Sequence, residues 1–338
     1  MYRTTFHLPS IVNSLVKLLK DICIAALILF SFQISYAKIN ENILRTIFKK
    51  AKESHTDGLI ILYDGKIIAE YYSPQEAKQI YTASITKSVV NLAIGLLLSQ
   101  RKLTSIDQYI YEFYPEWKQG KKKYITIAHI LNHTSGLQDL DSVVDEINPA
   151  PDVIQLALTA ELMSNPGTQF FYSNKAVNLL SGIVQKITGK KLDVYLNENL
   201  FKPLEIKKFT WNHDKAGNPY ANADLSLMPK DLAKIGQLVL QKGKWQGKQL
   251  IDNSWFDISL KPSQKFNKSS GLLWWLIPDP KKKFNEIIGY YAEGYRGQYL
   301  VIYPEKKLVG VRMIHPWTYK IDKDKYDEFK NDVCRLVQ

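Results

Sequence analysis

Apolar residues recur with a helical period near residue 40 and then occupy two strand-like runs. The first group places one apolar face on a helix and consists of Ile39, Ile43, Leu44, Ile47, Phe48 and Ala51. Two β-rich runs follow at residues 58–63 and 66–72, and the Asp64-Gly65 pair between them suits a tight turn. The pattern therefore predicts a helix followed by a β-hairpin.

The stretch from Val89 to Leu98 is apolar at eight of its ten positions. A helix that is apolar all round is buried, so we expect a core helix here. Two more helices are predicted, from Asn174 to Thr188 before Gly189 and from Pro229 to Gly243. The segment from about residue 101 to 259 therefore reads as mainly helical.

Strand patterns return only near the end of the chain, at residues 286–292, 295–303 and 308–315, before a last helix at 323–336. The hairpin and these strands must pair to bury their apolar faces. The predicted fold class is α/β, with an antiparallel sheet built from both chain ends and flanked by helices. The α/β part would comprise about residues 38–100 and 260–338, with an all-helical domain inserted at about 101–259.

Residues 1–37 have the pattern of a signal peptide. Basic residues precede an apolar run from Ile22 to Ile34, and small residues end the segment at Ala37. The run is shorter than the roughly 20 residues of a membrane span. We expect an exported protein, periplasmic or secreted, with its folded domain at 38–338 and with membrane attachment only if the segment stays uncleaved.

Charge and cysteine content exclude some classes of function. The chain has 45 Lys and Arg against 33 Asp and Glu, a net charge of +12. Its lysine runs at 121–123 and 281–283 lack the interleaved aromatic residues of nucleic-acid sites, so no nucleic-acid partner is expected. Cys334 stands alone after the leader, and His129 and His133 lack a third ligand. Neither a metal nor a cofactor is predicted.

A candidate nucleophile precedes the apolar core helix. Ser84 and Lys87 are three residues apart, which on a helix places both side chains on one face within hydrogen-bond reach. A neutral lysine could then accept the serine proton, and the helix N-terminus could stabilise negative charge beside the serine. The same spacing occurs four times in the chain, and the pair also fits a helix N-cap with a surface lysine.

A second polar cluster, Tyr172-Ser173-Asn174, stands at the start of a predicted helix. It could be a packed tyrosine and an asparagine cap. Alternatively, Tyr172 lies beside Lys87 and accepts a proton from Ser84 or returns one to the leaving group. Trp274 and Trp275 are adjacent on a strand pattern, so one should fill the core and the other line the cleft.

These motifs, in this order, resemble the class C β-lactamase and D-alanyl-D-alanine peptidase superfamily of serine hydrolases. Further similar segments are His133-Thr134-Ser135-Gly136-Leu137, Pro166-Gly167-Thr168, residues 179–184, residues 271–275 and residues 294–299. The resemblance covers about residues 40 to 335. It implies an α/β domain with an antiparallel sheet, an all-helical domain, and a cleft between them that holds Ser84.

The resemblance also implies a role for each matched residue. Ser84 would be the nucleophile, and Lys87 and Tyr172 would share the proton transfers of acylation and deacylation. Asn174 would orient the substrate or Lys87. The oxyanion hole would combine the backbone N–H of Ser84 with that of Gln298.

The third motif departs from the β-lactamase pattern. Where those enzymes have Lys-Thr-Gly, this chain has Tyr295-Arg296-Gly297, which keeps the glycine and loses the lysine that contacts a substrate carboxylate. This is more similar to the esterases and the 6-aminohexanoate-dimer hydrolase branch. Arg296 is expected to be solvated, although turned into the cleft it could restore carboxylate binding.

We therefore expect an exported serine hydrolase that cleaves a small-molecule ester, amide or peptide through an acyl-enzyme. One alternative is a D,D-peptidase or β-lactamase that acts on cell-wall peptides or β-lactams. An alternative of another class is a binding protein without catalysis on the same fold, for which loss of the serine, lysine or tyrosine would be the signature.

Overall fold

The structure, a computed structural model, describes residues 39–73, 78–140, 143–281, 286–315 and 326–337. The predicted signal peptide and residues 323–325 of the predicted last helix lie outside these ranges. The first helix spans Glu41–Glu53, and Asn40 caps it by accepting hydrogen bonds from two backbone N–H groups. Its buried residues are Ile43, Ile47 and Ala51, which lie on the predicted apolar face.

Six antiparallel strands form the central sheet. Their bounds are Gly58–Tyr63 (β1), Lys66–Tyr72 (β2), Trp275–Pro278 (β8), Ile287–Gly294 (β9), Gln298–Tyr303 (β10) and Leu308–Met313 (β11). Across the sheet they follow the order β2-β1-β11-β10-β9-β8. β1 pairs with β11, with Gly58 opposite Met313, so the front hairpin joins the strands from the end of the chain as predicted. β8 is an additional edge strand, too short to show an alternating pattern in the sequence.

The helix Ile85–Ser99 lies at the centre of the molecule, with thirteen of its residues buried. It contacts β9 and β10 on one side and the helix Asn174–Thr188 on another. Asn91 is the polar exception in this apolar segment, and its amide oxygen accepts hydrogen bonds from Trp255 and Trp274 at 3.1 and 3.2 Å. Because its polar group is satisfied, the asparagine can be fully buried.

The helix Pro229–Leu240 packs against the central sheet rather than within a separate helical region. A Cβ added at Gly236 would lie 2.6 Å from Val309 and 2.7 Å from Leu300, on β11 and β10. The bounds of the helical part, about residues 101–259, stay a prediction, and this helix within that range lies on the sheet. The sequence shows that this helix has an apolar face, but the partner of that face is decided by the fold.

Apart from the 15-residue helix Asn174–Thr188, the remaining elements are short and lie mostly between residues 100 and 260. The α-helices are Ile127–Leu131, Val143–Glu146, Val153–Thr159, Asn174–Thr188, Leu192–Leu196, Asn253–Ser259 and Phe329–Cys334. Single turns occur at Ile110–Glu112, Pro115–Lys118, Lys121–Tyr124 and Asn197–Phe201. Small sheets are formed by β3 (Ile80–Tyr81), β5 (Leu225–Leu227) and β4 (Thr210–Trp211), and by β6 (Lys244–Trp245) and β7 (Lys248–Gln249).

A membrane span would need a helix that is both long and strongly apolar, and the part of the chain described by the structure contains none.

Candidate active site

Ser84 and Lys87 lie one turn apart at the start of the core helix. Lys87 Nζ is 3.0 Å from Ser84 Oγ, and the lysine side chain is only 2% exposed. Ala83, just before the serine, has a φ of 49°, in the left-handed region that is costly for a residue with a Cβ. Such strain concentrates at functional sites. Among the described residues, no group accepts a hydrogen bond from the Ser84 N–H.

Two further oxygens hold the Lys87 amine. Nζ donates to Asn174 Oδ1 and to the backbone carbonyl of Asn222, both at 2.7 Å. A carbonyl oxygen can only accept hydrogen bonds, so each of these contacts uses one N–H of the amine. A neutral amine has two N–H groups and one lone pair. In the structure Nζ also donates to Ser84 Oγ. The neutral amine that general-base catalysis requires would keep the two carbonyl contacts and turn its lone pair toward the Ser84 hydroxyl.

Asn178, which is not among the site residues predicted from the sequence, holds this arrangement in place. Its Oδ1 accepts from the N–H groups of Ala221 (2.8 Å) and Asn222 (3.3 Å), and its Nδ2 donates to the Asn174 carbonyl at 3.2 Å. Asn178 is fully buried. Its spacing of four residues from Asn174, which places both side chains on one helix face, was the available signal.

The Tyr172 ring lies beside Ser84 and Lys87. Lys87 Nζ is 4.9 Å from the ring centroid, and Trp275 stacks on the ring at 6.2 Å with 13° between planes. Among the described residues, no hydrogen bond joins the Tyr172 hydroxyl to Ser84 or Lys87. Trp274 is buried and Trp275 is half-buried, as the alternation along a strand predicts, although both line the small cavity next to Lys87.

His133 packs behind Tyr172 at 4.5 Å between ring centroids, and its Nδ1 accepts a hydrogen bond from the Ser173 N–H at 3.1 Å. Burial, followed by the nearby Lys87 charge, lowers the pKa of His133 to about 3. The imidazole is therefore neutral near pH 7 and orients the tyrosine segment. In the described chain no three His, Cys, Asp or Glu side chains come together as a metal site.

The turn between β9 and β10 lies against the residues that precede Ser84. A Cβ at Gly294 would be 2.4 Å from the carbonyl oxygen of Thr82, and Gln298 pairs with Gly294 across the ladder. The Gln298 side chain is buried and bonds Ile314 twice, donating to its carbonyl at 2.6 Å and accepting from its N–H at 3.0 Å. Only the backbone of Gln298 is thus left for an oxyanion contact.

A fully buried arginine supports the same turn. Arg312 Nη1 donates to the Gly297 carbonyl at 2.9 Å, and Nε and Nη2 donate to Thr56 Oγ1 (2.9 Å) and the Ser54 carbonyl (3.2 Å). These bonds tie the turn to the end of the first helix. From the sequence, an arginine in a strand would be expected on a solvated face, so the role of Arg312 could not be predicted.

Tyr295 and Arg296 occupy the tip of this turn. Tyr295 is 57% exposed and lines the cavity that contains Ser84. Arg296 is half-buried, with its guanidinium carbon 5.0 Å from the Tyr295 ring centroid. It does not belong to the described residues that line either cavity next to Ser84.

Ser84 lies where two cavities meet. The larger has a volume of about 840 Å³ and is lined by Ser84, Asn174, Asn222 and Asp224, with Tyr220, His213 and others. The smaller lies on the side of Lys87 and is lined also by Tyr172, His133, Trp275 and Glu293. The smaller cavity has a volume of only about 10 Å³, room for about one water molecule, so a substrate bound at Ser84 would lie mainly in the larger one.

Two relatives illustrate what the chain is similar to in sequence. The chain is 33% identical over 136 residues to Protein flp of Staphylococcus aureus (strain MW2), a match that covers 38% of this chain and 27% of that protein. It is 23% identical over 233 residues to the 6-aminohexanoate-dimer hydrolase of Paenarthrobacter ureafaciens, covering 62% of this chain and 58% of the relative. The chain thus spans about a quarter and somewhat over half the lengths of these two relatives.

A solved structure of a family VIII carboxylesterase has the same fold. The two superpose with a TM-score of 0.70 at 13% identity, over 88% of this chain and 97% of the other. The sequence model of the beta-lactamase family matches residues 44–326, which is most of this chain. The chain therefore belongs to the beta-lactamase family.

Proposed function

We propose that the protein is a serine hydrolase that cleaves an ester or amide of a small molecule or peptide through an acyl-enzyme on Ser84. The observation that carries the proposal is the environment of Lys87, whose amine has two fixed acceptors and the Ser84 hydroxyl as its third neighbour. A surface lysine near a helix cap would not be buried in this way. Family membership and the carboxylesterase fold support the assignment.

In the proposed acylation, Lys87 accepts the Ser84 proton while Oγ bonds to the substrate carbonyl carbon. The N–H groups of Ser84 and Gln298 stabilise the resulting oxyanion. The bond to the leaving group then breaks, and the leaving group takes a proton from Tyr172, which Lys87 restores through a water or the substrate. Water attacks the acyl-enzyme by the reverse transfers, so that the acid is released and Ser84 regains its proton.

A fluorophosphonate probe tests the nucleophile directly. It should label Ser84, and Ser84→Ala should abolish both labelling and turnover of p-nitrophenyl esters. Ser99→Ala is the matched control, because Ser99 and Lys102 have the same spacing at the opposite end of the same helix. Turnover that persists in a folded Ser84→Ala protein would refute the mechanism.

We also propose that the protein is exported and that residues 1–37 are removed. The support is the order of basic, apolar and small residues in that segment. Intact-mass analysis of the secreted or periplasmic protein should give an N-terminus close to Lys38. An unprocessed chain in the membrane fraction would show that the segment is an anchor instead.

Hydrolysis of β-lactams or D-Ala-terminated peptides is a second candidate, favoured by membership in the beta-lactamase family. A chromogenic cephalosporin and a D-Ala-D-Ala peptide, assayed beside the esters, distinguish the two. A binding protein without catalysis is disfavoured because Ser84, Lys87 and Tyr172 are all present.

A further inference from the structure

We propose that Lys175 and Glu146 are positioning residues. Their buried ion pair fixes one wall of the larger cavity, residues 143–148, against the helix that begins at Asn174, and so determines how well a long acyl chain binds. This inference rests on the proposed hydrolase function and names two residues that set its substrate preference. Neither is among the described residues that line the two cavities beside Ser84, so neither would contact the substrate.

The position of Lys175 is unfavourable for a cation. The residue lies in the first turn of the helix Asn174–Thr188, and it is 1% exposed. The positive end of the helix dipole lies there, whereas cations are favoured at the opposite end. A charge taken out of water is also costly unless it is paired. The contacts of the amine should therefore explain why this position holds a lysine.

The Lys175 amine joins this helix to the cavity wall. Nζ donates to Glu146 Oε1 at 2.5 Å and to Gln138 Oε1 at 2.6 Å. Glu146 ends the one-turn helix Val143–Glu146, and its side chain is 20% exposed. Removing one partner of a buried pair leaves the other charge uncompensated. Without the amine, the Glu146 carboxylate would therefore be more stable in water, and the wall would move with it.

The wall packs in a small apolar cluster of its own. Ile147 is buried with Val153 and Tyr220, and Val143 packs against this cluster, which is separate from the main core. Val143 and Asn148 both line the larger cavity. A separate cluster leaves the distance between the wall and the start of the helix Asn174–Thr188 to be set by other contacts. The Lys175–Glu146 pair is a contact that joins the two directly.

The acyl part of a substrate is the part that would reach this wall. In the proposed mechanism it stays bonded to Ser84 after the leaving group departs, so it must occupy space that adjoins Ser84. The smaller cavity has room for about one water molecule, whereas the larger has a volume of about 840 Å³. A short acyl group can remain beside Ser84. A long one extends along the larger cavity, where the half-buried Val143 side chain offers an apolar contact.

The test compares p-nitrophenyl acetate with p-nitrophenyl octanoate, which share a leaving group and differ only in the acyl chain. In Glu146→Ala the bond from Lys175 to the wall is lost. The kcat/KM for the octanoate should then fall about tenfold, the scale of losing roughly two buried methylene contacts. The change should lie mainly in KM, because the wall does not touch the reacting atoms. The acetate should keep its wild-type kcat/KM, which also shows that the variant is folded.

Further variants separate the ion pair from a general loss of stability. Glu146→Gln keeps an oxygen that can accept from Lys175, so it should retain more octanoate activity than Glu146→Ala. The double variant Lys175→Met/Glu146→Ala should lose no more octanoate activity than Lys175→Met, because both changes break the same contact. Glu198→Ala is the matched control. Glu198 forms an exposed ion pair with Lys190, just beyond the end of the helix Asn174–Thr188, and its loss should leave both esters unaffected.

Hydrogen exchange measured by mass spectrometry gives a readout that needs no turnover. The N–H groups of Ile147 and Asn148 both donate to the Val143 carbonyl at 3.0 Å. Since a wall that is no longer held should open more readily, these groups should exchange about tenfold faster in Glu146→Ala than in the wild type. Peptides from the helix Asn174–Thr188 should exchange at the wild-type rate.

The outcomes separate this inference from the proposed function. Unchanged octanoate kinetics in Glu146→Ala, or equal losses for the two esters, would overturn the inference and leave the hydrolase standing. Failure of both probe labelling and ester turnover in the wild type would overturn the hydrolase. Hydrogen exchange at the wall that is the same in Glu146→Ala as in the wild type would overturn the role of the ion pair in either case.

Discussion

At the scale of single residues, the direction of proton transfer depends on what surrounds one amine. Lys87 is buried between Ser84, Asn174 Oδ1 and the Asn222 carbonyl. Because the last two can only accept, a neutral Lys87 would bind them with its two N–H groups and direct its lone pair toward the serine. Asn178 orients the Asn222 segment in turn, so the geometry around Lys87 depends on a residue that need not touch the substrate.

Replacing Lys87 with alanine, or Tyr172 with phenylalanine, should lower kcat by a factor on the order of 10² to 10⁴, the usual scale for general acid and base catalysis. The double variant should lose far less than the product of the two single losses, because the residues act as one unit. Steady-state kinetics with a p-nitrophenyl ester measures kcat for the two single variants and the double variant.

Lys102→Ala, in the matching Ser99/Lys102 pair, is the control and should retain wild-type kcat. Multiplicative losses in the double variant would mean that Lys87 and Tyr172 serve separate steps.

His133 should make stability depend on pH. The unfolded chain binds a proton at this histidine near pH 6.5, whereas burial keeps the folded pKa at about 3. Between these values the unfolded state binds more protons, so this contribution to the free energy of unfolding rises with pH, by at most about 1.4 kcal/mol per pH unit. It is lost as the pH falls from 6.5 toward 3.

His133→Asn keeps an acceptor near the Ser173 N–H and tolerates the positive φ of 56°. The variant should show a shallower rise of unfolding free energy between about pH 4 and 6.5. Urea denaturation at a series of pH values measures it. An unchanged slope would show that the histidine does not resist protonation in the folded state.

At the scale of elements, the core helix Ile85–Ser99 connects the site to the sheet, and its packing leaves little room. Gly95 faces the indole of Trp255, and an added Cβ would lie 2.4 Å from the Trp255 Cδ1 atom. Glycine normally weakens a helix interior by about 1 kcal/mol relative to alanine. Here the close approach of the indole accounts for its presence.

Gly95→Ala should therefore destabilise the protein by about 1–3 kcal/mol, the usual cost of overpacking a core. Denaturant unfolding measures the change. In a Trp255→Phe background the same substitution should cost less, because the smaller ring leaves room for the methyl group. A stabilising effect of Gly95→Ala in the wild-type background would contradict the packing described above.

At the scale of the whole molecule, substrate preference depends on which charges reach the cleft. β-Lactams and D-Ala-terminated peptides carry a carboxylate, and a fixed cation would contribute about 1.5–3 kcal/mol to its binding. Tyr295 stands where the β-lactamase pattern has lysine, and the Arg296 guanidinium lies over the Tyr295 ring. The cavity carries Asp224 instead.

Short p-nitrophenyl esters should therefore have a higher kcat/KM than a chromogenic cephalosporin. Tyr295→Lys should reduce the ratio of these two kcat/KM values about tenfold to a hundredfold. Both substrates are measured on the wild type and on Arg296→Ala. Efficient cephalosporin hydrolysis that collapses in Arg296→Ala would show that the arginine has replaced the lysine, and the preference for neutral esters would then be wrong.

The periodicity of apolar residues and the local motifs were enough to predict much of the fold from the sequence. Burial of the Ile85–Ser99 helix, the bounds Asn174–Thr188, and an antiparallel sheet from both chain ends all follow from apolar spacing, turn residues and helix stops. These features depend on contacts within a few residues or on faces that must be buried. The candidate residues Ser84, Lys87 and Tyr172 were found because local motifs carry their chemistry.

The tertiary structure decided what those residues touch. The Asn222 carbonyl, the Arg312 contact with Gly297 and the placement of Asp224 in the cavity all join parts of the chain that are distant in sequence or lie in irregular segments. Such contacts leave no periodic pattern in the sequence, and the sequence alone does not distinguish a buried arginine or aspartate from a solvated one. The packing of the helix Pro229–Leu240 on the sheet could likewise not be predicted from the sequence, because an apolar helix face does not specify its partner.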